Sequence, residues 1–193
     1  FKFGHRRAGT TDDLIAIAAE HKIPVYVAPL YRCGGDRISS SAIRKALTEG
    51  DVGTANRLLG RPYMLIGSVV KGQQLGRTIG FPTANLDLPE DKFLPRRGVY
   101  AVNVLLHGPS SASPESSIPK PLPGVMNIGT RPTVDGIKQT IEVHLLDWDG
   151  DLYGRTMTVE LQSFLRPEQK FDSLDALKLQ IGRDCEQARL LQA

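Results

Sequence analysis

From residue 64 onward the chain breaks into short apolar runs that alternate with turn residues, and this pattern limits the fold more than any other feature. The runs cover residues 64–70, 98–106, 123–128, 138–147 and 156–164. Between them stand Pro89-Glu90-Asp91, Asp135-Gly136 and Asp149-Gly150-Asp151. Strands at this spacing with no intervening helices pair antiparallel, and a sheet of them loses its exposed edges by closing into a barrel. One amphipathic helix follows, from Asp172 or Ser173 to about Leu191, with Leu174, Leu177, Ile181, Cys185 and Ala188 along one face.

The first sixty residues read differently. Phe1-Lys2-Phe3 looks like the tail of a strand, and Thr11 or Asp12 caps a helix running through Glu20. Residues 23–30 predict a strand restricted by Pro24 and Pro29, and 31–37 a polar loop around Gly34-Gly35. Ser39-Ser40-Ser41 opens a helix that Gly50 stops, and Asp51 caps a second that Gly60 stops. Helix, strand, helix, helix is a piece of an α/β unit, not a complete domain. The boundary falls at Gly60-Arg61-Pro62-Tyr63, dividing the chain into 1–60 and 61–193.

Composition narrows the function classes. A net charge of +3 does not argue for nucleic acid, and no apolar run approaches the roughly 18 residues of a membrane span. Cys33 and Cys185 lie far apart without metal-ligand spacing, which fits a reducing cytoplasm and neither a disulfide framework nor a zinc site. No signal peptide is visible, and the missing initiating Met suggests a fragment. Residues 107–121, rich in Ser and Pro, read as a mobile surface loop without an assigned function.

The chemistry concentrates between Val69 and Asn85. There an apolar strand enters a glycine-punctuated loop bearing Lys71 and Arg77, then reaches Pro82, Thr83 and Asn85. Glycine backbones approach phosphate oxygens closely, Lys and Arg supply countercharge, and Thr and Asn offer hard oxygens of the kind Mg²⁺ accepts beside phosphates. The competing reading is a hairpin turn whose Thr and Asn satisfy their own backbone, since the P-loop pattern is absent.

Gly76-Arg77-Thr78-Ile79-Gly80-Phe81-Pro82-Thr83-Ala84-Asn85 resembles the ATP–Mg²⁺ signature of riboflavin kinases. The resemblance spans residue 61 to about 190. It includes the blocks beginning at Arg97, Gly124, Glu142, Asp151 and Phe164. It implies a mainly β fold, a six-stranded antiparallel Greek-key barrel with a C-terminal helix, that phosphorylates riboflavin to FMN with MgATP. By the same resemblance Glu142 is the catalytic base, and Thr83 and Asn85 hold Mg²⁺ and phosphate. Gly72 and Arg77 belong to the phosphate flap, and Leu145, Asp147 and Tyr153 to the nucleotide side. Arg166, Gln169 and Phe171 face the flavin, with Gln169 standing where a basic residue is common. His144 is expected to be structural or at the surface, and Arg131 could equally brace the barrel.

Residues 38–44 resemble the second nucleotide-binding motif of FMN adenylyltransferases, which in bifunctional flavin enzymes precede the kinase module. The His-x-Gly-His motif of that domain is absent, so residues 1–60 read as an incomplete nucleotidyltransferase segment. Two other readings stay open. A non-catalytic flavin-binding barrel would need neither the Thr83/Asn85 pair nor Glu142. An oligonucleotide-binding barrel would need interleaved aromatics, which are 6% and scattered.

Overall fold

The computed structural model describes residues 2–72, 74–107, 120–133 and 136–191, with backbone alone for 131–133 and 136–138. The Ser/Pro-rich loop over 108–119 and the Arg131 side chain therefore lie outside the described residues. The chain falls into two compact units, Phe1–Arg37 and Ile38–Ala193.

In the first unit, α1 (Thr11–Glu20) starts one or two residues earlier than a Thr11 or Asp12 cap would give. Thr10 is the cap, because its hydroxyl accepts the Asp13 N–H while the Asp13 carboxylate accepts the Thr10 N–H at 2.8 Å. The strand expected over 23–30 does not form. Pro24 and Pro29 each lack a ladder donor, and Tyr26 is 91% exposed, so neither hydrogen bonding nor burial draws the segment into a sheet. Gly34 and Gly35, both at positive φ, instead turn a short hairpin between β1 (Arg32–Cys33) and β2 (Asp36–Arg37).

The second unit opens with α2 (Ser40–Glu49) and α3 (Val52–Leu59), which start and stop as their sequence signals require. Ser39 and Asp51 cap them, and Gly50 and Gly60 end them in the left-handed region. The pair packs through Ala46, Leu47 and Ala55. Asn56 fastens α3 to the sheet, donating to the Leu161 carbonyl at 2.9 Å and accepting the Tyr63 N–H at 2.8 Å.

Six strands then close into a barrel: β3 (Met64–Val70), β4 (Ala84–Asp87), β5 (Gly98–Leu106), β6 (Leu122–Thr133), β7 (Gly136–Leu145) and β8 (Thr156–Arg166). All neighbours are antiparallel, in the order β3-β4-β7-β6-β5-β8. Strands β5, β6 and β7 follow one another, and β8 returns beside β5, which is a Greek key. Periodicity alone finds five of the six, because β4 has only four residues. The interior is filled by inward residues of every strand, among them Leu65, Leu86, Val102, Met126, Val143 and Val159. Each contributes about 1.5–3 kcal/mol by leaving water.

Helix α5 (Leu174–Leu190), capped by Ser173, lies on the outside of β5 and β6. Ile181, Cys185 and Ala188 meet Val99, Ala101, Val125 and Leu146 there. Leu174 departs from the expected face and is 69% exposed. Asp184 joins the buried face instead. It accepts Arg166 Nε at 3.0 Å and Nη2 at 2.7 Å, and Gln180 Nε2 at 2.9 Å. Burial, with Asp184 alongside, pushes the Cys185 thiol up to about 11, so it remains protonated. Among the described residues no helix is long and apolar enough to cross a membrane.

Breaking a buried ion pair strands the surviving charge. Asp184→Ala should therefore lower the unfolding free energy by about 3 kcal/mol in denaturant titrations. Glu186→Ala, two residues away on the exposed face, should stay within about 0.5 kcal/mol.

Candidate active site

The link from β3 to β4 is more ordered than a glycine-rich loop suggests. A single helical turn, α4 (Leu75–Thr78), follows Gln74 in the left-handed region, and the Phe81 N–H closes it by donating to the Gly76 carbonyl at 2.8 Å. His144 on β7 holds the next residue. Its Nδ1 lies 2.8 Å from the Pro82 carbonyl oxygen, which can only accept, so this nitrogen carries a proton. Phe81 packs edge-on against the same imidazole at 5.5 Å.

Two cavities adjoin this segment. A cleft of about 700 Å³ is lined by apolar Val69, Val143 and Leu145, by Arg77 and Thr83, by Trp148 and Tyr153, and by the acidic Asp149 and Asp151. A smaller pocket of about 220 Å³ is lined almost entirely by polar side chains: Asn85, Asn127, Thr130, Thr140, Glu142 and Glu168. Strand register explains the second. Asn85 pairs with Glu142, and Glu142 with Asn127, forming one row across β4, β7 and β6. Ile141 and Val143 are buried in the barrel, so Glu142 turns to the outer face. Thr83 and Asn85 flank the buried Ala84, and one opens on each cavity.

A family model described as "Flavokinase: Riboflavin kinase" matches residues 59–192. The chain belongs to the riboflavin kinase family. It is 49% identical over 184 residues to the bifunctional riboflavin kinase/FMN adenylyltransferase of Escherichia coli K12, covering 95% of this chain and 55% of that protein. The chain thus spans little more than half the length of such relatives. A Streptococcus pneumoniae crystal structure described as a macrolide-efflux protein shares the fold at 34% identity and a TM-score of 0.79. It covers 98% of this chain and 57% of that one. The riboflavin kinase of Trypanosoma brucei aligns at 28% identity and a TM-score of 0.50, covering 68% and 78% respectively.

In this riboflavin kinase-family barrel, the residues singled out from sequence separate into three groups. Arg77, Thr83, Leu145 and Tyr153 line the cleft, and Lys71 Nζ stands 6.0 Å from the Tyr153 ring. Asn85 and Glu142 line the polar pocket. Gly72 lies against Asn85, since a Cβ there would stand 2.1 Å from Asn85 Nδ2. Asp147, Arg166, Gln169 and Phe171 line neither cavity. Asp147 sits at positive φ and pairs with Arg189, whose hydrogen bond holds its carboxyl below the usual range. Arg166 is engaged by Asp184 and stands 5.8 Å from the Phe171 ring.

Asn127, Thr140, Glu168 and Trp148 were not singled out from sequence. Asn127 lies in the block that begins at Gly124, but only cross-strand register reveals that it shares a row with Glu142. Glu168 neighbours Gln169, and spacing does not say which of the two turns to the pocket.

No group of three or more His, Cys, Asp or Glu that could hold a metal occurs among the described residues. The oxygens beside the two cavities are those of Thr83, Asp149 and Asp151 in the cleft and of Asn85, Glu142 and Glu168 in the pocket. Gly72→Ala should swing the Asn85 amide out of its row, because a methyl group cannot occupy the same space. Side-chain amide resonances of Asn85 should shift in NMR spectra while the unfolding free energy changes by less than about 1 kcal/mol.

Proposed function

We propose that this chain transfers the γ-phosphoryl group of ATP to the ribityl 5′-hydroxyl of riboflavin, giving FMN and ADP. The observation that carries the reading is the position of β4 between an open cleft and a polar pocket, with Thr83 on one side and the Asn85–Glu142 pair on the other. A nucleotide in the cleft would direct its phosphates to Arg77 and the Thr83 segment, with Lys71 adding countercharge at the mouth. A polyhydroxyl chain suits the pocket, whose amide, hydroxyl and carboxylate groups can satisfy each oxygen it buries. Gly72 belongs to the phosphate flap, and Asp147 to the nucleotide side beyond Leu145. Arg166, Gln169 and Phe171 form the flavin-side surface, with Phe171 offering its ring face.

The chemistry needs little covalent help. The 5′-oxygen attacks the γ-phosphorus, the bond from that phosphorus to the bridging oxygen breaks, and its electron pair leaves with ADP. Glu142 takes the hydroxyl proton, and Asn85 beside it orients the carboxylate and the nearest phosphate oxygen. Magnesium, held by Thr83, Asn85 and the phosphates, would supply charge neutralisation on the transferring group. The substrates are small molecules, and we assign the protein to the cytoplasm.

Glu142→Gln keeps the shape but cannot accept the proton. Turnover should fall at least ~100-fold, while both ligands still bind by calorimetry. A variant that turns over near the parent rate would remove Glu142 from the mechanism. We also propose that residues 1–60 correspond to part of the adenylyltransferase module named in the bifunctional relatives, and that FAD synthesis belongs to a chain carrying His-x-Gly-His. These 193 residues do not contain that pattern. Given FMN and MgATP, this chain should therefore yield no FAD by chromatography.

A further inference from the structure

Trp148 is the only tryptophan in the chain. It follows the strained Asp147 in the connection from β7 to β8 and stands in the wall of the large cleft. Its ring rests against the barrel core, yet its Nε1 is sealed from solvent and has no hydrogen-bond partner among the described residues. No other buried side-chain nitrogen or oxygen is left so among those residues. A tryptophan serving only as a core plug normally turns its N–H to a carbonyl or to water. Here the Gly150 backbone covers that edge of the indole, and a Cβ at 150 would stand 3.2 Å from Nε1 and from Cζ2.

The lining of the cleft is mixed. Arg77 and Thr83 supply a cation and a hydroxyl, Trp148, Leu152 and Leu145 aromatic and aliphatic surface, and Asp149 and Asp151 two carboxylates. A nucleotide calls for both of the first two kinds of surface, since it joins anionic phosphates to a flat heterocycle. We propose that Trp148 is the base-recognising wall of this cleft. Its ring packs on the purine of ATP, and its N–H passes to an acceptor on the nucleotide as the Asp149–Gly150–Asp151 turn gives way. The proposal rests on the kinase reading only for the identity of that nucleotide.

A single tryptophan makes the test direct. The unaltered chain is titrated with MgADP and, separately, with tripolyphosphate, following tryptophan emission and heat together. MgADP should change the emission saturably, whereas tripolyphosphate should bind without changing it. Bound MgADP that leaves the emission unaltered, an equal response to tripolyphosphate, or no binding of MgADP at all would overturn the assignment. Trp148→Ala should raise KM for ATP about ten-fold, and Trp148→Phe, which keeps a ring, about three-fold, with KM for riboflavin unchanged. A correctly folded Trp148→Ala variant with the parent's KM for ATP would also overturn it. Failure of the kinase reading is distinguishable: an ADP-specific emission change in a chain that leaves riboflavin unphosphorylated supports Trp148 and removes the activity.

Discussion

The pairing of β4 with its two neighbours is the contact on which the rest depends. β4 offers only four residues, yet it bonds β3 through Ser68–Asp87, Val69–Leu86 and Val70–Asn85, and β7 through Ala84–Val143 and Asn85–Glu142. Without those few ladder positions the barrel would be an open sheet with two exposed edges. The same pairs set Asn85 beside Glu142, so barrel closure and assembly of the polar row are one event. A strand this short cannot hold itself by backbone bonds alone. Ala84 and Leu86 anchor it in the core, the His144–Pro82 hydrogen bond fixes its entry, and the bare backbone of Gly72 leaves room for its one outward amide.

That arrangement explains what sequence could and could not disclose. The long strands and the helix caps were legible because alternation and capping are local signals, carried by residues such as Ser39, Asp51 and Ser173. The segment from 23 to 30 misled because its apolar residues imitate a strand while its two prolines deny it a ladder. β4 was invisible to periodicity, since four residues after a proline make no pattern. Motif resemblance singles out Glu142, Thr83 and Asn85 as candidates, but their division between two cavities depends on register. Trp148 had no signal at all, because its significance lies in an unmet donor that only packing reveals.

Six strands enclose too little space for a ligand, and here Leu, Val, Ile and Met side chains fill it. Any site must therefore lie on the outer face or at the mouth of the barrel, which is where both cavities occur. Strand β7 shows how the two demands are met by one segment. Ile141, Val143 and Leu145 point inward and hold the fold, while Glu142 and His144 between them face outward toward the pocket and the Pro82 segment. Because side-chain direction alternates with a period of two, a one-residue slip in β7 would bury a carboxylate and an imidazole and expose three core residues. The cost of that slip is what keeps the register, so the hydrophobic core supplies the precision that the polar row requires.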